Sequence, residues 1–268
     1  MQNLHTHTTF CDGRDTPEEM VRLALEKGFD SLGFSGHSPT PYSPSGKVTA
    51  ETTELYKQAV LRLKEMYKDR LAVYLGLEVD MYCGADLSGY DYLIGSVHYL
   101  KKDGEYLGFD RNAETVQKLI LEHFGGSGMA FARRYYEELA DLPRYGNFDI
   151  IGHFDIITKN LETIPYFDEN APEYLEAAFE AMRALQGKIP LFEVNTGAIA
   201  RGYRTVPYPT MPLLKELNRL GFGAVITSDC HDGRKLDCCF EEARQLLAVC
   251  GFKEQYILTE SGFTAAAL

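Results

Sequence analysis

The amino-acid sequence predicts an α/β fold of one domain, with parallel strands closed or nearly closed into a barrel. Three observations carry that expectation. Short apolar runs alternate with amphipathic stretches along all 268 residues, and no repeat, linker or low-complexity segment interrupts them. Roughly seven or eight strand–helix units fit one barrel of this length better than two small domains. Six of the seven histidines fall at or just past the end of an expected strand. In an α/β barrel those strand ends share the face that hosts active sites.

The chain opens on Leu4-His5-Thr6-His7, whose two histidines at i and i+2 point to the same side of an extended strand. Asp12-Gly13 breaks the strand and places an oxygen donor beyond its end. Thr16, Pro17 and Glu19 form a capped helix start, and that helix is expected to reach Lys27 and stop at Gly28. Residues 31–35 read as a second strand ending in Gly36-His37. A loop rich in Pro, Ser and Thr follows over 38–49, then a polar-faced helix over 51–67. Residues 71–79 read as a buried strand with Glu78 near its end, and 92–98 as another ending in His98.

Residues 99–111 read as a polar loop. Helices are expected over 113–124 and 129–140, separated by Gly125-Gly126-Ser127-Gly128. That run lacks the Gly-Lys-Ser/Thr ending of a phosphate loop and reads as a helix stop. A strand over 148–152 runs into His153, with Lys159 in the loop beyond. Over 171–186, Tyr174, Leu175, Ala178, Phe179, Met182 and Leu185 recur at helical spacing. The strand 191–195 leads into a loop over 196–210 that carries Arg201 and Arg204. A helix over 212–220, a strand over 224–228, then Asp229-Cys230-His231, a helix over 240–250 and a strand over 256–258 complete the chain.

With 45% hydrophobic and 25% charged residues, the chain has the composition of an ordinary globular protein. No apolar run approaches a membrane span and the N-terminus lacks signal-peptide features, so the expected location is cytoplasmic, with no membrane partner. None of the six cysteines forms a C-x-x-C pair, and reduced thiols are expected. A formal net charge of -12 argues against nucleic acid as a partner. It still allows a small anionic substrate, because bound cations reverse the local field. Nothing in the sequence sets an oligomeric state.

A lone histidine at a strand end is usually a hydrogen-bonded core residue. Here His5, His7, His37, His98, His153 and His231 share such positions with Asp12, Glu78 and Asp229, which chance explains poorly. His123, inside an expected helix, reads as a surface residue. An all nitrogen-and-oxygen donor set suits zinc, manganese or iron(II). Nine candidate ligands exceed what one ion needs, so two or three divalent metals with a bridging carboxylate are expected.

His5-Thr6-His7, Gly36-His37-Ser38, Gly76-Leu77-Glu78-Val79-Asp80, Gly95-Ser96-Val97-His98, Gly152-His153-Phe154-Asp155 and Ser228-Asp229-Cys230-His231 resemble the ordered motifs of the PHP (polymerase and histidinol phosphatase) superfamily. The length, without fused domains, is similar to its stand-alone histidinol-phosphate phosphatases of histidine biosynthesis. The resemblance implies a distorted (β/α)7 TIM-like barrel over residues 1–268 with a trinuclear metal centre. It assigns His5, His7, Glu78 and Asp229 to one ion, Glu78, His98 and His153 to a second, and Asp12, His37 and His231 to a third. Lys159 and Arg201 would face the substrate phosphate, with Arg204 as the alternative to Arg201. Lys159 stands where the family is associated with arginine, and a lysine cannot copy the bidentate fork.

The implied reaction is hydrolysis of L-histidinol phosphate by a metal-activated hydroxide, with Arg201 and Asp229 as catalytic residues. Asp229 or a metal-bound water would protonate the leaving alkoxide. Asp80 and Asp155 are candidates for contact with the substrate's ammonium, or for support of metal ligands. Two rival readings stand beside this one. A PHP-type nuclease or proofreading domain should carry a basic, aromatic-lined groove, which the acidic balance disfavours. A non-catalytic PHP regulatory domain should have lost ligands, and none is lost here.

Overall fold

The structure, a computed structural model, describes residues 1–43 and 48–268, so part of the expected 38–49 loop lies outside the described residues. The chain begins with β1 (Gln2–Asn3), α1 (Pro17–Glu26), β2 (Ser31–Phe34), α2 (Ala50–Tyr67), β3 (Ala72–Asp80) and β4 (Tyr92–Ser96). Next come β5 (Tyr99–Lys102), β6 (Glu105–Gly108), α3 (Ala113–His123), α4 (Gly128–Ala140), β7 (Ile150–Ile151), α5 (Pro172–Leu185) and β8 (Leu191–Asn195). The last elements are α6 (Gly197–Arg201), α7 (Met211–Arg219), β9 (Gly223–Thr227), α8 (Phe240–Val249), β10 (Glu254–Thr259) and β11 (Gly262–Ala267).

Seven of these strands form one parallel sheet in the order β1-β2-β3-β4-β7-β8-β9. Beyond β1, a bridge between Thr6 and Cys230 brings the two edges together: His7 N donates to Cys230 O at 2.8 Å and Cys230 N to His5 O at 2.9 Å. The sheet is thus a nearly closed barrel, as expected. Helix α1 starts as its sequence implies, with Thr16 and Glu19 in a reciprocal capping box. None of the helices among the described residues is long and apolar enough to cross a membrane.

Side chains alternate across each strand. Along β3, Val73, Leu75, Leu77 and Val79 join the core between sheet and helices. Tyr74 instead joins Leu4, Tyr92, Ile94, Ile150, Leu191 and Val225 in a second cluster, the apolar floor of the barrel interior. Tyr92 fills its centre and donates its hydroxyl to Leu4 O. Gly33 and Gly76 make room for that ring, since a Cβ on Gly76 would lie 2.3 Å from Tyr92 Cζ. Gly76→Ala is therefore expected to destabilise by about 1–3 kcal/mol through overpacking. A lower denaturant midpoint at unchanged m would show it.

Three expectations differ from the fold. Residues 99–111 are not a plain loop: β5 and β6 form an antiparallel hairpin. Its turn, Asp103-Gly104, takes positive φ at both residues (50° and 86°), the geometry that suits a two-residue hairpin. The 196–210 loop contains the short helix α6. The final strand is half of the hairpin β10–β11, which docks on β1 through Gln2, whose side chain donates to Leu258 O and accepts from Leu258 N, each at 2.8 Å. This hairpin covers the floor's end of the barrel and leaves the other end open.

Candidate metal centre

The inward row of β3 runs Tyr74, Gly76, Glu78, Asp80, and that of β8 runs Leu191, Glu193, Asn195. Each row changes from apolar to carboxylate toward the C-terminal end of its strand. A buried acidic layer therefore sits directly above the apolar floor, and the loops past the strand ends bring histidines to it. His5 and His7 follow β1, His37 follows β2, His98 follows β4, and His153 follows β7. Asp229 and His231 follow β9, and Asp229 has φ of 44°, a conformation uncommon outside glycine and strained in the manner of functional sites. Asp12 returns over this layer through a tight turn in which Gly13 N donates to Thr8 O at 3.0 Å. A Cβ at Gly13 would lie 2.4 Å from the His7 carbonyl carbon, so glycine is required there.

All nine expected metal-site residues converge. Three groups have ligand atoms close enough to hold an ion: His7, Asp12, His37 and His231; His5, His7 and Asp229; and Glu78, His98 and His153. Glu78, 1% exposed, lies between them. Its Oε1 is 2.9 Å from His153 Nε2 and 3.4 Å from His98 Nε2. Its Oε2 is 2.8 Å from His37 Nδ1, 3.4 Å from His5 Nε2 and 3.6 Å from His7 Nε2. Asp229 Oδ1 is 3.1 Å from His7 Nε2, and Asp12 Oδ2 is 3.3 Å from His231 Nε2.

Buried polar atoms without hydrogen bonds are rare in native proteins and call for a reason. His5 Nε2, His7 Nε2 and Glu78 Oε2 are such atoms, and all three face the same small volume. Divalent cations fit that volume and that donor set. Burial opposes imidazolium, yet Glu193, Asp229 and Glu78 hold His5 well above the usual imidazole range. His98, buried but facing Glu78 and Asp80, is raised to about 10. Burial likewise opposes ionisation of Glu78, but His37, His5 and His98 keep it well below the usual carboxylate range. His5 and His98 thus favour protons that a bound cation would have to displace, so metal affinity is expected to rise with pH.

Glu193 is the one member that sequence reasoning missed. Fully buried, it accepts from His5 Nδ1 at 2.8 Å, His153 N at 2.6 Å, Asn195 Nδ2 at 2.8 Å and Thr227 Oγ1 at 2.8 Å. The His5 contact turns Nε2 of that ring toward the cluster. The available signal was a lone carboxylate in an apolar strand, the same signal that marked Glu78. Glu193→Gln would face four donors with an amide. We expect about 10–100-fold weaker metal binding, read by metal content at unchanged circular dichroism.

The basic residues part company. Arg201 reaches the cluster: Nη2 donates to Asp229 Oδ2 at 2.8 Å and Nη1 lies 3.0 Å from His231 Nδ1. Lys159 stands at the rim, 2.6 Å from Asp110 Oδ1 and over the Tyr203 ring at 4.5 Å. Arg204 is 4% exposed and turned inward, bonded to Thr158 O and Glu169. Asp80 supports a ligand, accepting from His98 N and lying 3.2 Å from His98 Nδ1. Asp155 is fully buried below the mouth, where Thr210 N donates to it. Burial raises its carboxyl to about 7. A cavity of about 250 Å³ opens beside His37 and His98, bounded also by Asp12, Asp80, Tyr99 and Asp110.

A parallel barrel whose open mouth gathers nitrogen and oxygen donors around one buried carboxylate defines a protein built to hold several metal ions. More particularly, the chain belongs to the PHP domain family, whose model matches residues 3–197. It is 29% identical over 252 residues to a probable histidinol-phosphatase of Deinococcus radiodurans, covering 89% of each chain. It is 27% identical over 262 residues to a histidinol-phosphatase of Bacillus subtilis, covering 88% of this chain and 96% of the relative. Its fold is similar to that of the histidinol phosphate phosphatase of Lactococcus lactis, solved with zinc, L-histidinol and phosphate. That likeness has a TM-score of 0.72 over 98% of both chains at 22% identity.

Proposed function

We propose that the chain is a histidinol-phosphate phosphatase, a metal-dependent phosphoric monoester hydrolase that converts L-histidinol phosphate to L-histidinol and phosphate in histidine biosynthesis. The observation that carries this reading is Glu78 facing donors of all three groups with its two oxygens, while Arg201 stands at the open side beside Asp229. His5, His7, Glu78 and Asp229 would hold one cation, Glu78, His98 and His153 a second, and Asp12, His37 and His231 a third. When bound, zinc, manganese or iron(II) ions supply an acidified water for attack and neutralise phosphoryl charge.

The chain's own groups do the rest. Arg201 faces the phosphoryl oxygens with paired donors and meets the charge that grows on them. Asp229 fixes that guanidinium through Oδ2. Although burial works against it, Arg201 and His5 hold Asp229 well below the usual carboxylate range. It therefore stays ionised, and it can take the proton of the attacking water only transiently before the far more basic leaving alkoxide claims it. Lys159 adds a second cation at the rim, and Arg204 braces the loop rather than the substrate. We take residues 1–268 as one domain, because Arg201, Asp229 and His231 lie beyond the stretch matched by the family model. A cytoplasmic setting suits its six free thiols.

Phosphate release should be measured across L-histidinol phosphate, other small monoesters, nucleotides and an oligonucleotide, with and without a chelator. The expected result is preference for L-histidinol phosphate and loss of activity on chelation. Preference for nucleotides or oligonucleotides, or indifference to chelation, would overturn the reading.

A further inference from the structure

We propose that Asp110 is the anchor for the substrate's ammonium group, and that it makes this site select an amino-alcohol phosphate over a plain phosphate ester. The inference rests on the functional reading above and adds the contact that gives it specificity. Asp110 lies at the rim where the phosphate is received, its Oδ1 2.6 Å from Lys159 Nζ. Partial burial opposes its charge, but Lys159 beside it holds its carboxyl down at about 2. A carboxylate among phosphate-facing cations weakens the binding of any simple phosphate dianion. It becomes an advantage when the same substrate carries a cation close to its phosphate.

L-histidinol phosphate is such a substrate, because its ammonium stands on the second carbon from the ester oxygen. Lys159 and Asp110 then present a positive and a negative charge side by side to a ligand with the opposite pair. The neighbouring cavity, walled by Tyr99, receives the imidazole beyond the amine.

Elimination among the nearby carboxylates leads to the same residue. Asp12 is engaged by His37 through Oδ1 and by His231 through Oδ2. Asp80 accepts from the Tyr42 hydroxyl through Oδ1 and from His98 N through Oδ2. Asp155 is fully buried and out of a substrate's reach. Asp110 is 37% exposed, lines the cavity, and its Oδ2 accepts no hydrogen bond among the described residues. An ester without the amine leaves this charge facing a phosphate with nothing between them, an unfavourable element that sharpens discrimination.

The test compares kcat/KM for L-histidinol phosphate and for 3-(imidazol-4-yl)propyl phosphate, the same ester without the amine. The wild type should prefer the amine-bearing ester by about 10–100-fold, the range of a hydrogen bond to a charged group. In Asp110→Asn that ratio should collapse toward one, and Asp110→Glu should restore part of it. Lys159→Met should lower both values and leave the ratio in place. A ratio is insensitive to the fraction of folded enzyme, and the wild-type preference needs no variant at all. A wild type with no preference overturns the proposal. So does an Asp110→Asn enzyme that loses both substrates equally, which would make Asp110 only a support for Lys159. A wild type that hydrolyses other monoesters but neither of these two overturns the functional reading itself.

Discussion

Glu78→Gln is expected to lower kcat/KM on the order of 10³-fold, with loss of bound metal, whereas Asp80→Asn should cost only about 10–100-fold. Both residues lie on the inward row of β3 and both are buried. They differ in what they touch. Glu78 approaches five histidines, with Oε2 facing His5, His7 and His37 and Oε1 facing His98 and His153. A neutral amide there would leave adjacent cations uncompensated and aim two N–H donors at imidazole nitrogens. Asp80 reaches His98 alone among these histidines, so its loss loosens one ring. Steady-state kinetics with elemental analysis of both variants separates the two roles. Equal, mild losses would show that Glu78 does not bridge.

The nine converging residues were legible because parallel barrel strands end on one face, so position along the chain translates into position in space. Glu193 was not, although it belongs to the same buried layer. It lies mid-strand rather than at a strand end, and only the inward register of β8 shows that it meets His5. The hairpin β5–β6 escaped for a different reason. Its strands are short and polar, Tyr99–Lys102 and Glu105–Gly108, so no apolar alternation marked them. Asp103-Gly104 was the usable signal.

Nor did the sequence separate Arg201 from Arg204, three residues apart in a stretch read as a loop. The local backbone does. Arg201 is the last residue of α6, and Gly202, with φ of 76°, reverses the chain after it. That turn sends Arg204 inward to Glu169 and leaves Arg201 at the mouth. Such a short helix leaves little periodic trace in a sequence. A single glycine past its end carried the only mark.

Arg201→Ala is expected to raise KM and lower kcat together, for a combined loss of about 10²–10³-fold in kcat/KM. Its guanidinium is 30% exposed on its open side and fixed by Asp229 Oδ2 on the other. Burial opposes its charge, but Asp229 and Asp110 raise its already high pKa, so it stays cationic through any working pH. A dianionic phosphate held beside cations keeps oxygens that point outward, and a planar fork supplies paired donors to them. On the proposed reading the contact would already be made in the bound ester, which would set the KM effect. It strengthens as charge moves onto those oxygens, which sets the kcat effect. Arg201→Lys should recover only part of the loss, because one ammonium cannot keep Asp229 and face the phosphate with two donors at once. If Arg201→Ala raises KM at unchanged kcat, the residue only binds. If kcat/KM for L-histidinol phosphate is untouched, the phosphate lies elsewhere in the mouth, and Lys159 becomes its principal cation.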